Sequence, residues 1–154
     1  MSSRRIFALL LFIAFAAPAD GQTNASDWFE KGMALYNENN FTGSLEAYER
    51  AIEIDPGNSE AWNNKGIDLG ILGRYDEALY AFQEATQLNS SYAEAWYNMG
   101  AIFDIQGKYV SAIQAYSAAT RINPSYQKAW EAKNYDINII GLKRYLQINH
   151  EIAF

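Results

Sequence analysis

Asp68, Asp76 and Asp104 are the carboxylates that stand among aromatic and amide residues and so invite a chemical reading. A carboxylate can act as a general base, a nucleophile or a metal ligand. Each role needs company: a second acid or base, an activated hydroxyl, or further ligands. None stands in register with these three. There is no cysteine, which removes disulfides, thiolate chemistry and zinc-thiolate sites. The one histidine, His150, lies four residues from the end and reads as a surface side chain. Asp76 reads as a helix cap, and Glu60, Glu77 and Glu94 as first-turn charges on solvated helix faces. No catalytic residue, metal or cofactor is expected, and the chain is not read as an enzyme.

The balance of charge narrows the partners. The chain has 154 residues, a formal net charge of -6 and a sequence pI of about 4.7. Nucleic acid is excluded, because phosphate contacts need a basic field. The first residues form a separate unit. Arg4 and Arg5 precede an apolar run from Ile6 to Ala17, and Ala17-Pro18-Ala19 offers small residues for cleavage. This is the pattern of a secretory signal peptide over residues 1–19; the alternative is a retained membrane anchor. Export to the outside, the periplasm or the cell surface is expected. With cleavage after Ala19, two of the twelve basic residues leave and all eighteen acidic ones stay, so the net charge becomes 10 − 18 = −8. Asn24, Asn40 and Asn89 each open an Asn-x-Ser/Thr triplet, which matters only in a host that glycosylates exported proteins.

The elements that must position these residues follow from a period. Trp28, Trp62, Trp96 and Trp130 stand 34 residues apart, and Gly32, Gly66 and Gly100 keep phase four residues after the first three. That length fits one helix-turn-helix unit, which cannot bury its apolar face alone and must stack on neighbours. In the second unit Trp62, Gly66 and Leu69 share one face of a helix from Glu60 to Leu72. Gly73 ends it in a left-handed conformation. A second helix runs from Asp76 to Leu88, with Ala78, Phe82 and Ala85 inward. Gly66 is expected where two helix backbones come close, since it otherwise costs about 1 kcal/mol in a helix. Pro56 and Pro124 close the first and third units.

The Trp, the Gly four residues later and the Ala-x-x-x-(Tyr/Phe)-x-x-Ala stripe resemble the tetratricopeptide repeat family. Lys31 and Lys65 depart from it, standing where leucine is usual, and Ser44 replaces an alanine. The resemblance implies an all-α fold: a right-handed superhelical solenoid of antiparallel helix pairs. It divides the chain into repeats at 25–58, 59–92 and 93–126. A capping helix at 127–140 follows, with a short degenerate helix or tail at 141–154. Gly141 keeps the phase of Gly73 and Gly107, so the capping helix is expected to end there. Ile148, Ile152 and Phe154 are expected either to fold onto the cap or to form an apolar patch.

In this family the first helices of successive repeats line a concave groove that holds protein segments. Carried over by position, the groove residues are Phe29, Met33 and Tyr36; Asn63, Ile67 and Gly70; Tyr97, Ala101 and Asp104; with Glu30, Asn64 and Asn98 as a second rim. Aromatic area and amides suit an extended peptide backbone. The repeats that hold acidic chaperone tails use Lys and Asn at the positions of Phe29 and Met33, Asn at Asn64, and Lys and Arg at Tyr97 and Ala101; here only Asn64 fits that pattern, so a neutral or basic segment is favoured. The expected function is a protein-protein interaction scaffold or assembly adaptor. The alternative is a self-association module or a subunit of a larger extracytoplasmic complex. A membrane contact is expected only if the N-terminal segment is retained.

Overall fold

The computed structural model describes residues 24–152. The signal-peptide segment therefore lies outside the described residues. These residues form seven helices and no strand: α1 (Ala25–Asn37), α2 (Phe41–Ile54), α3 (Ser59–Ile71), α4 (Tyr75–Leu88), α5 (Ala93–Ile105), α6 (Tyr109–Ile122) and α7 (Gln127–Ile152). Each helix packs chiefly on the ones before and after it in the chain. This is the nearest-neighbour pattern of a solenoid. The helical pairs are α1–α2, α3–α4 and α5–α6, and α7 closes the end.

Local chemistry sets the boundaries. Asn24 and Asp27 form a reciprocal capping box, each bond 3.0 Å long. Asn40 and Asn58 cap α2 and α3 by accepting from Gly43 and Ala61. Asp76 does not cap α4, contrary to the sequence reading. That helix starts one residue earlier, its N-cap position is Arg74, and no side chain caps it. Arg74 instead grips Glu77 at 2.6 and 2.7 Å, and Asp76 accepts from Gln106 of the next repeat at 3.3 Å. Gly73 and Gly107 take φ of +77° and +71° to turn the chain back, and Asn39 does the same at +60°.

The core is built from the inward stripes. Ala78, Phe82 and Ala85 are buried, with Leu45, Leu69 and Ile102 around them. The recurring glycines have a more specific role than close backbones. A Cβ on Gly32, Gly66 or Gly100 would stand 2.6 Å from a ring carbon of Tyr48, Phe82 or Tyr116. Each glycine is therefore the seat of an aromatic ring from the second helix of its own repeat. The lysines that replace leucine lie over their tryptophans. Lys31, Lys65 and Lys133 place Nζ 4.6, 5.5 and 3.8 Å from the ring centroids of Trp28, Trp62 and Trp130. The indoles of Trp62 and Trp130 each donate to a proline carbonyl, Pro56 and Pro124, at 3.0 Å. Each bond ties a repeat to the loop before it.

The last helix differs from expectation. α7 runs without a break through Gly141 to Ile152. Gly73 and Gly107 turn because another helix follows and must reverse. Leu142, Lys143, Arg144 and Leu146 are good helix formers that carry the helix through Gly141. The side chains of Ile148, His150 and Ile152, and residues 153–154, lie outside what is described.

Candidate functional site

The groove face is carried by α1, α3 and α5. Met33, Tyr36, Asn37, Tyr48, Asn64, Ile67 and Glu94 line a cavity of about 330 Å³. A second cavity of about 320 Å³ shares Ile67 and continues along Gly66, Gly70, Ile71, Phe82, Asn98, Ala101, Ile102 and Ile105. Together they form one run with an apolar floor. Neither lining includes a lysine or arginine.

Met33, Tyr36, Asn64, Ile67, Gly70, Asn98 and Ala101 thus meet in the groove where their positions predict. Phe29 and Tyr97 do not line it. Phe29 lies on the Tyr48 ring at 5.6 Å, and Tyr97 is wedged between Tyr116 at 5.6 Å and Tyr126 at 5.2 Å. Their half-burial is therefore met inside the protein. Glu30 is exposed and outside both cavities. Asn63 is buried, at 1% exposure, and is a structural amide instead of a groove-facing group. Asn98 donates to it at 3.0 Å, it donates to Asn64 at 3.3 Å, and Asn64 donates to the Tyr48 hydroxyl at 3.4 Å. This amide chain crosses all three repeats under the groove and fixes the Asn64 and Asn98 side chains.

The sequence reading missed Ile71 and Ile105, which add exposed apolar area at the groove edge. Both stand nine residues after a tryptophan, one place beyond the positions carried over. It also missed Tyr48, an aromatic of a second helix that reaches the groove through the gap left at Gly32.

Among the predicted carboxylates, Asp68 is fully buried one helical turn beyond Asn64, beside Tyr48, and neither of its oxygens has a hydrogen-bond partner. Burial pushes it up to about 6; nearby Ser44 works the other way. The Ser44 hydroxyl already donates to the Gly32 carbonyl at 2.9 Å, so any hydrogen shared with Asp68 must come from the acid. Burial also pushes Tyr126 and Tyr92 up to about 12 and raises Tyr48 and Tyr116, keeping these phenols protonated donors. Among the described residues no three His, Cys, Asp or Glu side chains are grouped to hold a metal, and no helix is long and apolar enough to cross a membrane.

Four tetratricopeptide repeat models match the chain, at residues 25–58, 47–80, 71–104 and 93–126. The chain belongs to the tetratricopeptide repeat family. Comparison with curated protein sequences gave no significant match. Solved structures share the fold. A structure described as MamA superposes with a TM-score of 0.75 at 23% identity, over 85% of this chain and 81% of that one. The first repeat domain of Spaghetti (RPAP3), bound to the HSP90 peptide SRMEEVD, gives 0.75 at 20% identity, over 77% and 94%. YrrB, described as having an unusual peptide-binding site, gives 0.70 at 27% identity, over 74% of this chain and 59% of that one.

Proposed function

We propose that this tetratricopeptide repeat protein is a non-enzymatic interaction module, exported from the cytoplasm, that holds an extended neutral or basic polypeptide segment in the groove of α1, α3 and α5. The observation that carries this reading is the continuous groove with an apolar floor, two pre-oriented amides and no cation in its lining. The Spaghetti domain is described with an acidic peptide and YrrB with a peptide-binding site. Peptide capture is therefore within the fold's reach. An acidic tail does not fit here: Met33 and Ala101 offer no charge, and Glu94 lines the first cavity. The Arg4–Arg5 start and the apolar run after it support export.

Peptide arrays read by fluorescence polarisation test the groove. Basic or neutral extended peptides are expected to bind, and a triple change of Met33, Tyr36 and Ile67 to Ser to weaken binding at least tenfold. Equal binding of acidic and basic peptides, or full retention by the triple variant, would reject the groove. Mass determination of the mature N-terminus tests export: a start at Asp20 supports it, and an intact Met1 in the native host opposes cleavage.

A second reading, self-association, is favoured by one observation. α7 leaves Trp130, Ile137, Leu142 and Leu146 more than two-fifths exposed. Light scattering distinguishes it: a monomer at micromolar concentration counts against this reading and leaves the groove untouched.

A further inference from the structure

The contact between one repeat's second helix and the next repeat's first helix occurs three times in the chain. The middle contact is apolar: Phe82 of α4 and Ile102 of α5 are both buried, beside Ala78. At the corresponding positions of the other two contacts both members change together. Tyr48 of α2 pairs with Asp68 of α3, and Tyr116 of α6 with Asp136 of α7, and all four are buried. An acid thus replaces an aliphatic residue only where a hydroxyl replaces a ring hydrogen.

The last contact differs from the first in bringing a second acid beside the buried one. Neither oxygen of Asp136 has a hydrogen-bond partner. The groups that face it are Asp104 from α5 and the Tyr116 hydroxyl from α6. Among the groups acting on Asp136 there is no cation. The lysines of its own helix on either side are committed elsewhere: Lys133 to the Trp130 ring at 3.8 Å and Lys143 to the Tyr109 ring at 4.4 Å. An ionised Asp136 would place a second negative charge beside Asp104 in a water-poor seam. A protonated one can donate a hydrogen bond there. Among the described residues α7 is the last helix, with α6 as its main support. One seam decides whether it stays docked, whereas α3, which carries Asp68, is held by α2 and α4.

We propose that a proton on Asp136 latches α7 to α6, so that the end helix docks when the seam is neutral and loosens when Asp104 and Asp136 are both charged. Release would uncover Tyr116 and the Tyr97 ring that packs on it at 5.6 Å. The latch is independent of what the groove binds. Burial and the neighbouring Asp104 charge push Asp136 up to about 6, which puts the change in the neutral range. Once undocked, the group returns to about 3.9. Proton linkage then gives an opening constant for α7 that rises about tenfold between pH 5 and pH 8.

Hydrogen exchange on the full chain, corrected for the intrinsic pH dependence of exchange, measures this opening. α7 amides are expected to lose protection about tenfold more than α5 amides over that range. Asp136→Asn, which mimics the neutral acid in shape, is expected to abolish the difference. Should that variant not fold, Asp104→Asn serves with the same readout, because removing the like charge is expected to shrink the pH response. Equal opening of α7 at pH 5 and pH 8, or a response undiminished in the variant measured, would overturn the latch.

Discussion

Adding one methyl group to Gly66 opposes two effects of known sign. In a helix interior, Gly→Ala normally stabilises by about 1 kcal/mol, because alanine loses less backbone freedom on folding. Here the new Cβ would stand 2.6 Å from Cε1 of Phe82 and 2.8 Å from Cδ1. The ring cannot retreat, since it is 1% exposed and lies among Ala78, Ala81 and Leu69. Overpacking of this kind costs about 1–3 kcal/mol. At 2.6 Å the cost falls in the upper part of that range, about 2–3 kcal/mol, so the clash is expected to win by about 1–2 kcal/mol, with a fall in Tm of about 3–8 °C for a domain of this size. Gly141→Ala is the control. It is helical and exposed, and its Cβ would meet nothing within 4 Å. There the propensity gain of up to about 1 kcal/mol is expected to survive. Thermal unfolding followed by far-UV circular dichroism compares them. Combining Gly66→Ala with Phe82→Leu is expected to cost less than the sum of the two changes, because the smaller side chain leaves room for the methyl. A Gly66→Ala protein as stable as the parent, or more so, would refute the account of that glycine as the seat of a ring.

Other outcomes follow from the same geometry. Asp68 is raised in the folded state to about 6 against about 3.9 unfolded. Its contribution is therefore fully present below about pH 4 and is lost as pH rises through 6, on the order of 2 kcal/mol. Asp68→Asn is expected to flatten that slope in urea titrations between pH 4 and pH 8, and an unchanged slope would exclude Asp68 as its source. At the turns, Gly73→Ala should lower stability by about 1 kcal/mol, because alanine pays for the left-handed backbone. Asn39→Gly, at φ +60°, should raise it by a few tenths; a loss on Asn39→Gly would show that the asparagine side chain matters more than its backbone.

The repeat itself was legible along the chain. The 34-residue spacing of tryptophans and the Gly-to-aromatic phase reflect contacts inside one helical pair, where residues close in sequence meet with a fixed period. Such contacts constrain each repeat alike, so they leave the same mark several times. Positions carried over from the family also placed Met33, Tyr36, Ile67 and Ala101 in the groove, because the first helices present one face in every repeat.

Other features depended on how the surfaces of different helices meet. Asn63 holds a groove position by register, yet the Asn98 amide reaches across from the next repeat and makes it a buried link. Gly141 has the phase of a turn, but the helix formers after it carry α7 straight through. Asp136 stood outside the residues considered, and Asp68 was singled out only as a carboxylate among aromatic and amide residues. Only the stacking showed them enclosed against Tyr116 and Tyr48. The amino-acid sequence by itself determined which residues share a helix face, since that follows from 3.6 residues per turn. Which face meets which, and so which carboxyls lose their water, was decided by the tertiary structure, because burial depends on atoms supplied by another helix.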